Sequence, residues 1–93
     1  MTTVLARFRV ADYDAFRPGY DEALSAFKEI RSYRVWRGQD DPNLVVITET
    51  FDSRDVAEAL WTNQATKDAM VKDGVDVTSV QIDYLDEIDS ATH

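Results

Sequence analysis

The stretch "LVVITETF" at residues 44–51 constrains the fold most. Successive side chains of a strand point to opposite faces. Four apolar residues in a row, Leu44 to Ile47, therefore imply burial on both faces, which places this segment at the centre of a sheet.

The rest of the chain supplies the neighbours. Residues 2–10, "TTVLARFRV", alternate with Val4, Ala6, Phe8 and Val10 on one face and Leu5, Arg7 and Arg9 on the other, a period-2 strand. "ADYDAF" opens a helix, with Asp12 as cap and Ala11 and Phe16 placed as a hydrophobic staple. Tyr13, Phe16, Tyr20, Leu24, Phe27 and Ile30 keep helical spacing and predict a helix to about residue 30. Pro18-Gly19 interrupts it and predicts a kink or a short first turn. Residues 31–38 form a second strand, with Tyr33 and Val35 facing one way and Arg34 and Trp36 the other. "QDDPNL" is a turn into the central strand.

"DSRDVAEALW" is a second helix capped by Asp52 or Ser53, with Val56, Ala59 and Leu60 inward. Asn63 can cap a further helical piece over 64–73, which Gly74 ends in a left-handed conformation. Residues 77–88 alternate as a last strand, Val80, Ile82, Tyr84 and Ile88 on one face. The order strand–helix–strand–strand–helix–strand is a split β-α-β unit repeated once. It predicts a ferredoxin-like α+β domain over residues 1–88, followed by a flexible tail at 89–93. Its four-stranded antiparallel sheet carries the helices on one face. The helix-free face then needs a cover, and a second copy of the chain is the simplest one, giving a homodimer built as a dimeric α+β barrel. Arg7 and Arg9 on that face either pair with acids such as Glu49 or stand as free edge charges.

Composition removes several chemistries. There is no cysteine, so disulfides, thiolate metal sites and thiol nucleophiles are excluded. The single histidine is His93, at the very end, a poor place for a base or metal ligand. Neither metal nor cofactor is expected. Net charge is −8, and the acids concentrate in residues 38–93. An acidic chain without a basic patch points away from nucleic acid and from anionic membranes. No signal-like or membrane-length apolar run occurs, which predicts a cytoplasmic protein. With three glycines and no GxSxG, nucleotide and nucleophile-elbow motifs are absent.

The segments "VADYDAF", "YRVWRGQDDPNLVVITETFDS" and "AMVKDGV" resemble the dimeric α+β barrel proteins related to antibiotic-biosynthesis monooxygenases, over residues 2–88. The resemblance implies a ligand site between sheet and helices, lined by Phe8, Tyr33 or Trp36, Trp61, Met70 and Tyr84. Relatives that degrade haem or cyclise polyketides rely on internal histidines, and this chain has none. The cofactor-free oxygenases use Asn, Trp and Tyr, which singles out Asn63, Tyr33 and Tyr84 as catalytic candidates beside Trp61. Each has a plainer role. Trp61 fills a core, Asn63 caps a helix, and the tyrosines end at the surface of their strands. Two functions fit. One is a cofactor-free monooxygenase- or cyclase-like enzyme acting on a small aromatic or polyketide-like compound. The other is a non-catalytic dimeric module binding a small hydrophobic ligand.

Overall fold

Seven elements follow one another in the computed structural model, which describes residues 1–93: β1 (Thr2–Val10), α1 (Tyr13–Ala26), β2 (Ser32–Arg37), β3 (Leu44–Phe51), α2 (Arg54–Trp61), α3 (Gln64–Lys72) and β4 (Val75–Leu85). The strands form one antiparallel sheet in the order β2-β3-β1-β4. This is a ferredoxin-like α+β arrangement with a divided second helix. β3, expected at the centre from its apolar run, is one of the central pair, and β1 is the other.

Register decides which side chains meet. Val4 stands opposite Glu49, Ala6 opposite Ile47 and Phe8 opposite Val45. All six are buried, and they form the floor of the core together with Phe51. The helices close over them with Phe16 and Tyr20 from α1 and Ala57 and Trp61 from α2. At about 25 cal/mol per Å² of apolar surface, this layer dominates the stability of so small a domain. On the other face lie Leu5, Arg7 and Arg9 of β1, Thr48 of β3 and Trp36 of β2, and no helix covers them.

The helix ends follow local chemistry. Asp12 accepts from the Asp14 N–H, Ser53 from the Val56 N–H and Asn63 from the Ala65 N–H, at 3.2, 3.3 and 2.8 Å. Gly74, at φ 86°, stops α3 and turns the chain into β4.

Three expectations need correction. First, α1 runs unbroken through Pro18 and stops at Ala26, short of residue 30. The Phe27 N–H still bonds the Ala23 carbonyl, and Phe27 and Ile30 pack on the core from the loop, so the apolar stripe outlasts the helix. Second, Ala57 and Trp61 are the buried pair of α2, whereas Ala59 is exposed. Third, β4 begins at Val75 and ends at Leu85, and Ile88 is 91% exposed beyond it. A register shift between Arg7 and Arg9, where Ser79 accepts from the Arg9 N–H, accommodates the longer strand. No helix is long and apolar enough to cross a membrane.

Candidate functional site

Glu49 is the one buried acid beneath the helices. It sits on β3 between Ile47 and Phe51, on the helix-facing side, and is 2% exposed. Burying a carboxylate is costly unless both oxygens find donors. Both do. The Tyr20 hydroxyl donates to Oε2 at 2.6 Å and the Trp61 indole N–H to Oε1 at 3.0 Å. Three elements thus converge, with α1 supplying Tyr20, β3 supplying Glu49 and α2 supplying Trp61. Burial raises the Glu49 carboxyl above the ordinary carboxylate range, and the two hydrogen bonds only partly offset it. Burial, with the Glu49 charge beside it, likewise raises the Tyr20 phenol, so Tyr20 stays a donor.

Above Glu49 lies a small, partly open apolar cavity of about 70 Å³ between the sheet and the helices. Phe8, Ile47 and Glu49 face it from the sheet, Tyr20 and Ala23 from α1, and Trp61 and Met70 from the second helical region. Its size suits one or two waters. That is well below the few hundred cubic ångströms of an open ligand pocket. One wall is α3. It has no fully buried residue, and it hangs between the Asn63 cap and the left-handed Gly74.

Phe8, Trp61 and Met70 line this cavity. Trp36 does not. Its partner in β3 is Val46, which points away from the helices, so Trp36 stands 46% exposed on the open face. There it borders a wide polar groove of about 820 Å³ with Arg34, Thr48 and the chain's last residues, and no buried titratable group lies in that groove. Of the three catalytic candidates, none lines the cavity. The Asn63 side chain is engaged as the cap of α3. Tyr33 is 48% exposed on the edge strand and touches the site only through an edge-on contact with Tyr20, at 6.4 Å between ring centres. Tyr84 lies under the Arg54 guanidinium, 4.7 Å from its ring centre, on the far side of Val4 from Glu49.

Glu49 is the residue sequence reasoning missed. Of the two options for Arg7 and Arg9, pairing with Glu49 fails: β1 turns those arginines to the other face, and Arg9 pairs with Asp41. The signal was present: Val45, Ile47, Glu49 and Phe51 share one parity, and a lone acid in that row must be buried among apolar side chains. No group of three or more potential metal ligands converges anywhere in the fold.

Comparison with solved structures places the chain among small α+β proteins. It matches a mutant of SnoaB, a cofactor-independent oxygenase from Streptomyces nogalater, with TM-score 0.76 and 11% identity over 99% of this chain and 97% of that one. It matches an antibiotic biosynthesis monooxygenase with TM-score 0.72 and 16% identity over 96% and 100%. It matches Rv0793 from Mycobacterium tuberculosis with TM-score 0.65 and 21% identity over 98% of each chain. Neither a protein-family model nor a curated protein sequence matches the chain. At these identities the likeness establishes the fold: the chain has the architecture of antibiotic-biosynthesis-monooxygenase-like proteins.

Proposed function

We propose that the chain is a small cofactor-free enzyme of the oxygenase type, in which Glu49 takes a proton from an apolar aromatic substrate held between sheet and helices. The observation that carries this reading is one buried carboxylate, with a raised proton affinity, at the floor of an apolar cavity. A general base works best when its proton affinity lies near the working pH, and desolvation moves Glu49 that way. Tyr20 and Trp61 hold the carboxylate in place, and each oxygen keeps a lone pair free. With an anthrone-type substrate the methylene proton passes to Glu49, and the carbanion gives an electron to dioxygen. The radical pair combines to a peroxide anion, which takes the proton back from Glu49 to become a hydroperoxide, and loss of water leaves a carbonyl. One oxygen atom enters the product and the other leaves as water. The fold shared with a cofactor-independent oxygenase supports this class of reaction.

The resting cavity is too small for such a substrate, so binding requires the helical wall over Glu49 to yield while the Asp73 end of α3 stays seated against α1. The open sheet face is the surface for a homodimer, with Leu5, Val46 and Trp36 in the contact. Light scattering at micromolar protein is expected to give twice 10.6 kDa.

The test is oxygen-dependent turnover of an anthrone by the pure protein. Turnover above buffer is expected, with a loss of about 10²–10⁴-fold in Glu49→Gln, which keeps the shape and removes the base. A rate equal to buffer, or unchanged in Glu49→Gln, rejects the reading. The small cavity, and a Glu49 whose two oxygens each already accept a hydrogen bond, favour a second one, a non-catalytic module for a small hydrophobic ligand. Saturating ligand at 100 times its dissociation constant then adds about 2.7 kcal/mol of stability without turnover.

A further inference from the structure

A second carboxylate borders the cavity. Asp73, at the C-terminal end of α3, lines it from the rim. It is half-buried, and burial raises its proton affinity, with no hydrogen bond to offset this. Its place depends on Gly19 of α1. A Cβ at position 19 would stand 2.2 Å from Asp73 Oδ1 and 2.3 Å from its carboxyl carbon. Only glycine there lets the carboxylate lie against the helix, and this gives the Pro18-Gly19 step a purpose that helix geometry alone does not.

The surrounding charges do not neutralise it. Lys72 and Glu22 act on Asp73 with opposite signs. Arg17 is tied to Asp21 and the Tyr13 hydroxyl, at 2.8 and 3.0 Å, and lies over the Tyr20 ring. No lysine or arginine lines the cavity. Its charged groups are Glu49 at the floor and Asp73 at the rim, both acidic.

We infer that Asp73 sets the charge the cavity accepts. The ligand is an apolar body that offers a proton to Glu49 and carries a neutral donor or a cation at the end facing Asp73. Anionic compounds, including carboxylates of the same shape, are turned away. This rests on the cavity being the ligand site. The acceptors fit it: a half-desolvated carboxylate attracts an ammonium and repels a carboxylate more strongly than one in bulk water does.

Three phenols of one shape separate the possibilities in calorimetric titration of the whole chain: 4-ethylphenol, tyramine and 4-hydroxyphenylacetate. Tyramine is expected to bind at least tenfold more tightly than 4-hydroxyphenylacetate, with 4-ethylphenol between them. Asp73→Asn should shrink the ratio below threefold. Gly19→Ala, which pushes the carboxylate off its seat, should do the same while leaving 4-ethylphenol affected far less. If 4-ethylphenol does not bind at all, the cavity is not a ligand site and the proposed function falls with this inference. If it binds and the charged pair bind alike, or Asp73→Asn leaves their ratio unchanged, the role of Asp73 alone is overturned.

Discussion

The two faces of the sheet are made by the same strands and lead different lives. On β3, Glu49 is sealed under α1 and α2, while Thr48 and Thr50 beside it look out on the uncovered side. The covered face holds one charge among apolar groups and meets it with two fitted donors. On the open face the charged side chains lie at the surface: Arg7 is exposed, and Arg9 reaches Asp41 with both partners partly in solvent. A charge is informative where water is absent. The same residue type that is unremarkable on the open face becomes a candidate base on the closed one.

Alanine substitutions measure this contrast directly, and the largest effect belongs to the covered face. Phe8, 2% exposed, packs against Phe16 edge-on with ring centres 5.5 Å apart. Phe8→Ala is expected to cost about 3–5 kcal/mol in urea unfolding. Glu49→Ala comes next, at about 2–3 kcal/mol, because it leaves the buried Tyr20 hydroxyl and Trp61 N–H without an acceptor. A cost below about 0.5 kcal/mol for Glu49→Ala would mean that the donors find water, and the sealed site would have to be abandoned.

A smaller effect sharpens the same point through pH. The Glu49 carboxyl is raised in the folded state, chiefly by burial. A raised group contributes stability that is complete below its unfolded pKa of about 4.3 and is lost as pH climbs through the higher folded value. The wild type should therefore lose stability relative to Glu49→Gln as pH rises from about 4.3 upward. Urea unfolding at a series of pH values compares the two. A gap that stays constant, or moves in favour of the wild type with rising pH, contradicts a desolvated carboxylate.

Much of the fold was legible because alternation and capping are local. The period-2 pattern of "TTVLARFRV" identified a strand, the run in "LVVITETF" a central one, and Asp12, Asn63 and Gly74 marked helix ends. The site was less legible because it depends on partners distant in sequence. Glu49 meets Tyr20 across 29 positions and Trp61 across 12, and no spacing rule links them. The resemblance implies Tyr33 or Trp36 in the cavity, whereas strand parity puts Trp36 on the other face with Arg34. Asn63 has a local explanation. A residue at a break between helices is used by the backbone, and its side-chain oxygen is already bonded to Ala65.

The smallest effect on the chain's own stability is expected at Trp36, and it tests whether the open face stays open. Trp36 is 46% exposed and fills no space beneath the helices. In a lone chain Trp36→Ala should change unfolding by about 0.5 kcal/mol or less, as surface substitutions do. A homodimer through this face changes the outcome in a recognisable way. The wild-type melting temperature then rises with protein concentration, because association favours the folded state by mass action. The Trp36→Ala curve rises less, since a tryptophan is an effective anchor in an interface and its removal weakens association. The two proteins should melt together when dilute and separate when concentrated. Equal melting at every concentration, with a monomer mass by light scattering, would leave the open face facing solvent, and the contrast between the two faces would then hold without a partner.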